Sequence, residues 1–107
     1  METFVNLTPH DINVVMQDGT VRTFERSGTI ARCSVDTELV DRVDGIELSR
    51  ATFGAVDNVP DIVQGTYYIV SMLVRSALSY RHDIVSPGEL VRDEKGIVVG
   101  CKGFTCN

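Results

Sequence analysis

The sequence predicts an α+β fold: a single antiparallel, β-rich domain of several hairpins with one main helix. Three observations predict it. Asp-Gly pairs stand at Asp18-Gly19, between the apolar runs INVVM and VRTF, and at Asp44-Gly45, between LVDRV and IELSR. Both supply the positive-φ residues that two-residue hairpin loops need. A third connection, Asp93-Glu94-Lys95-Gly96, joins LVR to IVVGC and ends on the glycine that a longer hairpin loop takes in its left-handed position.

In chain order, Phe4 to Leu7 and Ile12 to Met16 are apolar segments on either side of the polar turn Thr8-Pro9-His10-Asp11. After the first hairpin, Thr29 to Val35 reads as an apolar strand with Arg32 at its centre. Past the second hairpin, Ala55 to Gly65 holds Asp57, Asn58, Pro60 and Asp61 with little periodicity, which predicts a loop. Thr66-Tyr67-Tyr68-Ile69-Val70 is aromatic and β-branched on both alternating faces, as a central strand covered on both sides requires. Met72 to Arg81 then sets Leu73, Ala77, Leu78 and Tyr80 on an apolar stripe, with Arg75, Ser79 and His82 opposite. Ser71 is placed as the N-cap of this helix, and Ser86-Pro87-Gly88 breaks the chain after it.

The chain has 107 residues and reads as one domain, 1–107, with no internal boundary or repeat. A domain of that size buries roughly two thirds of its unfolded surface, enough for one core. No apolar run approaches the roughly 18 residues of a membrane helix, and METFVNLTPH has neither the basic start nor the apolar centre of a signal peptide. The expected location is the cytoplasm. Cys33, Cys101 and Cys106 are odd in number and widely spaced, which predicts free thiols in a reducing compartment rather than a disulfide framework or zinc clips.

The formal net charge is −5, so duplex nucleic acid would meet an unfavourable field. Of the ten cations, only Lys95 and Lys102 are lysine. The rest are arginine, whose fixed fork grips phosphates and planar anions. A small phosphorylated ligand is therefore one use for them, and surface ion pairing is the other.

Candidate site residues follow from position. His10-Asp11 and His82-Asp83 invite comparison with metal phosphohydrolases, but such sites need further His and Asp ligands on packed helices, and this chain has two histidines and one helix. No metal site, cofactor or catalytic set is assigned. Thr8, His10 and Asp11 project together from a proline-fixed turn, either toward a ligand or onto local backbone amides. Ser71 stands where a strand enters a helix N-terminus, a place where unpaired amides attract anions. Arg32, inside an apolar strand, and Arg92, at the end of another, each require a partner: a carboxylate such as Asp83 or Asp93, or a ligand.

Three segments, NLTPHDINV at 6–14, GTYYIVSMLVRSAL at 65–78 and PGELVRDEKGIVVGCKGF at 87–104, resemble a family of small uncharacterised proteins encoded by phages and mobile elements of Gram-positive bacteria. SGTIARC at 27–33 is similar to that family's strand after a Ser-Gly turn, whereas ELVDRVDGIELSRATFGAVDN at 38–58 departs from the pattern. The resemblance carries over Asn6, Thr8, His10, Arg32, Ser71, Arg92 and Asp93 as motif positions, and Arg75 joins them from the helix's polar face. It implies a phage accessory protein that acts by binding. The expectation is a non-enzymatic homo-oligomer that sequesters a small phosphorylated ligand, such as a cyclic nucleotide immune signal. Two alternatives stand beside it: an inhibitor that binds a host protein, and a small hydrolase of the same nucleotide with His10 as general base.

Overall fold

The computed structural model describes residues 2–107, which form ten strands and one short helix. The Asp44-Gly45 pair opens the longest element. Both residues take positive φ, 50° and 77°, so Val43 and Ile46 pair directly across a two-residue loop between β4 (Arg32–Val43) and β5 (Ile46–Asp57). The Asp18-Gly19 loop, by contrast, is one residue longer than expected. Only Gly19 is left-handed there, and Met16 and Thr20 close a three-residue loop between β2 (Ile12–Val15) and β3 (Val21–Phe24). The Asp18 carboxylate accepts from the Thr20 backbone at 3.0 Å and its hydroxyl at 2.6 Å, which fastens this form. The third loop follows the prediction, with Gly96 left-handed between β8 (Leu90–Arg92) and β9 (Val98–Cys101).

These hairpins do not make one antiparallel sheet, so the fold class holds only in its coarser form: a small β-rich domain with a single helix. Sheet one has the order β1 (Thr3–Asn6), β6 (Thr66–Ile69), β7 (Ile84–Pro87), β10 (Phe104–Cys106). Its β1–β6 and β6–β7 ladders are parallel, and only β7–β10 is antiparallel. Sheet two runs β3-β2-β9-β8 and includes a parallel bridge from Val14 to Cys101. The β4–β5 ribbon stands apart as a third, two-stranded sheet. Parallel neighbours need a crossover of a dozen or more residues, and residues 70–83 provide it through α1 (Met72–Ala77). Ser86 and Pro87, expected to break the chain, instead finish β7, with Pro87 at the strand's last position.

The central strand lies where the sequence places it. Tyr68, Ile69 and Val70 are buried, and Tyr68 and Val70 join Leu7, Ala31, Val74, Leu78 and Ile84 in the core between sheet one, the helix and the base of the ribbon. Helix α1 is shorter than the apolar stripe suggests, ending at Ala77 rather than Arg81. Ser71 is its N-cap, accepting from Val74 N at 3.3 Å. Its end is set from the far end of the chain: Asn107 Nδ2 donates to the carbonyls of Arg75, Leu78 and Arg81 at 3.0–3.2 Å, taking the acceptors that a further turn would have used. The expected loop at 55–65 shrinks to 58–65, because β5 continues through Asp57. Arg32, expected at the centre of a strand over 29–35 and in need of a partner, instead opens β4 and is exposed, where water can serve its charge.

Candidate ligand-binding site

The sequence-predicted residues fall into separate places. Asn6, Thr8 and His10 are brought together, as a clamp on their own turn. Buried Asn6 donates through Nδ2 to the carbonyls of His10 and Phe24 at 2.8 and 2.9 Å. Its Oδ1 accepts from the Thr8 backbone and hydroxyl at 2.9 and 2.6 Å. Every polar atom of the amide is thus occupied, and Asp11 likewise accepts from Arg26 N at 2.9 Å. Of Asn6, Thr8 and His10, only His10 is exposed to solvent.

Arg92 donates to Gly96 O at 2.9 Å, and Asp93 Oδ1 accepts from the backbones of Lys95 and Ile97, so both fasten the third hairpin loop. The Ser71 hydroxyl is engaged as the helix cap, and a helix of six residues has little macrodipole to offer an anion. Asp83, expected to neutralise Arg32 or Arg92, pairs instead with Arg81 at 2.6 and 3.0 Å, both side chains about nine-tenths buried. That hydrogen bonding holds Arg81 above its already high ordinary value. Arg75, like Arg92, is held by neutral groups: Nε donates to buried Ser86 Oγ at 2.8 Å, and Nη1 to Asn107 Oδ1 at 3.4 Å.

A better-formed site lies where sheets one and two meet. Phe4 on β1 lies 5.3 Å from Phe24 on β3, 5.3 Å from Tyr67 on β6 and 5.2 Å from Phe104 on β10, measured between ring centroids. Phe24 and Phe104 meet edge to face at 5.4 Å. The four rings are half-buried, so they close the seam between the sheets while leaving ring surface open to solvent. Two cations flank them. The Arg22 guanidinium sits 4.7 Å above the Phe24 ring, a cation–π contact, and forms no ion pair among the described residues. Lys102 reaches from the turn before β10, held only by an exposed pair to Glu89 at 3.5 Å, of a kind worth under about 1 kcal/mol. Together they line an open cleft of about 350 Å³.

The arrangement offers aromatic faces and edges for a planar ring, with two positive charges beside them. Single-stranded nucleic-acid proteins combine the same elements, base stacking on aromatics with cations on phosphate. Sequence reasoning missed these residues because they come from four strands spread over the whole chain. One signal was present: Arg22-Thr23-Phe24 on a strand puts the cation and the ring on the same face, and Lys102-Gly103-Phe104 repeats the spacing.

A second groove, beside Ile62, Val63, Tyr80 and the Arg81–Asp83 pair, offers an anion nothing, because the arginine there is already neutralised.

No family model, curated protein or solved structure matches the chain. Its functional reading therefore rests on this geometry.

Proposed function

We propose that the chain is a non-enzymatic binding protein that captures a small phosphorylated ligand carrying a planar ring, with a cyclic nucleotide as the favoured class. The observation that carries the reading is the convergence of Arg22 and Lys102 on the half-buried surface of Phe4, Phe24 and Phe104. Stacking on an aromatic ring contributes about 1–3 kcal/mol per base, and charge-assisted hydrogen bonds to phosphate contribute about as much each. A phage accessory role, countering host defence by sequestration in the cytoplasm, is consistent with the resemblance at 6–14, 65–78 and 87–104 and belongs to the same proposal.

Calorimetric titration with a panel of cyclic and linear nucleotides tests it. The expected result is saturable binding to at least one of them, weakened more than tenfold by Arg22→Ala and by Phe24→Ala. Arg32→Ala and Arg92→Ala, which lie outside the cleft, should change it by less than about threefold, within the additivity expected of distant sites. Denaturing the complex and recovering the nucleotide unchanged separates capture from hydrolysis. No binding to any panel member would sink the proposal.

A further inference from the structure

The β4–β5 ribbon is a poor fit to a solitary molecule. It is twelve residues long on each strand, a reach of about 40 Å, and only its base packs on the body, through Cys33, Val56 and helix α1. The radius of gyration is accordingly 16.5 Å, against about 13 Å for a compact chain of this length. An isolated two-stranded hairpin is marginal in water. Yet this one keeps large apolar side chains in solvent along its whole length.

Their placement is specific. Residues 46–53 alternate without interruption, so Phe53 and its cross-strand partner Val35, together with Leu39, lie on one face of the ribbon. Leu48 and the pair Val43–Ile46 lie on the other, because the register shift between Leu39 and Asp41 carries the apolar set across. The six side chains are 39–66% exposed. Summed over both faces they leave roughly 600 Å² of apolar surface in water, about 300 Å² on each, so neither face alone exceeds the largest patch of an ordinary monomer. Only a partner that covers both faces would bury about three quarters of the roughly 800 Å² that each side of a standard interface buries.

A flat surface could cover one face only. A second arm laid antiparallel can meet both, its tip half against the base half of the first and the reverse, which is the self-complementary contact a two-fold axis demands. We infer that the ribbon is a clasp for a second copy of this chain, formed by the mutual packing of Val35, Leu39 and Phe53 of one arm with Val43, Ile46 and Leu48 of the other. This inference is independent of the ligand reading. The arm carries six acidic residues against three arginines, so the two arms repel one another, and added salt should tighten the dimer by screening that repulsion.

Sedimentation equilibrium on the full chain tests the clasp at low and high salt, with circular dichroism to check folding. The expected result is a dimer whose affinity rises with salt. Val43→Lys with Ile46→Lys should weaken it at least tenfold, even though these changes reduce the negative charge, since apolar anchors dominate such interfaces. If the lysine variant misfolds, a shortened arm in which Asn-Gly joins Thr37 to its cross-strand partner Ala51 removes the tip without touching the core, and should be monomeric. A monomer at every concentration up to about 100 μM, a dimer that keeps its affinity in the shortened arm, or a dimer loosened by salt would each overturn the inference. Loosening by salt would point instead to pairing between unlike charges.

Discussion

Replacing Asp83 with asparagine should be the most damaging single polar change in the molecule. Arg81 and Asp83 are bonded through two nitrogen–oxygen contacts, 2.6 and 3.0 Å, with side chains only 10% and 11% exposed. Arg81 also donates to Pro60 O at 2.9 Å, and the Asp83 carbonyl accepts from Tyr68 N, so the pair ties the 58–65 loop to the junction of β6 and β7. Asp83→Asn removes the counter-charge and leaves a guanidinium that has already lost most of its water. Breaking one side of such a pair costs about 3–5 kcal/mol, a large share of the 5–15 kcal/mol by which domains of this size are stable. At about 4–8 °C per kcal/mol, the melting temperature should fall by about 12–40 °C. Urea unfolding gives the direct reading: the midpoint should fall with little change in slope. Arg81→Met combined with Asp83→Leu should recover most of the loss, because removing both charges removes the desolvation cost, and the exposed Pro60 carbonyl can turn to water. A loss below about 1 kcal/mol for the single variant would refute the reasoning, since that is the behaviour of a solvated surface pair.

Asn6→Ala should cost about 3 kcal/mol in the same assay, because four hydrogen bonds of about 0.5–1.5 kcal/mol each are lost and the carbonyls of His10 and Phe24 lose a buried donor. Gly100→Ala should destabilise more than its single methyl suggests. A Cβ there would stand 2.7 Å from the Asn13 carbonyl oxygen, forcing β9 away from β2 at their one bridge, and loss of the Val14–Cys101 amide protection would report it. The Asp18 carboxyl should titrate below its ordinary value near 3.8, held down first by the Thr20 hydroxyl and then by the Thr20 amide. A depressed carboxylate contributes stability that is present above its unfolded value and lost as pH falls through the folded one. Thr20→Val should therefore raise the Asp18 value in a carbon-detected titration and remove the hydroxyl's share of the acid dependence, while the amide's share stays.

What could be read from the sequence was local. Asp44-Gly45 determines its own turn, since both residues accept positive φ, and Ser71 caps a helix through a contact three residues away. The central strand was legible because Tyr68, Ile69 and Val70 need cover on both faces. The parallel ladders were not, because pairing Thr3 with Thr66 or Val14 with Cys101 depends on chain segments far apart, and no local pattern encodes it. The helix end was hidden for the same reason: its carbonyls are claimed by Asn107, 26 residues beyond Arg81. At the candidate site, the motif residues Asn6 and Thr8 stood out by being polar between apolar runs, and the structure accounts for that polarity by bonds within the turn. The aromatic seam drew no notice, since Phe4, Phe24, Tyr67 and Phe104 each look like ordinary strand residues until two sheets bring them together.

The central claim is that a ligand occupies the cleft between Arg22, Lys102 and the phenylalanines. Amide and aromatic chemical shifts recorded during titration with a bound nucleotide test it most directly. The account predicts that the largest changes fall on Arg22, Phe24, Lys102, Gly103 and Phe104, with ring-current shifts on Phe4. Changes centred instead on Asn6 to His10, on Arg75 and Ser86, or on Arg32 and Arg92 would contradict it.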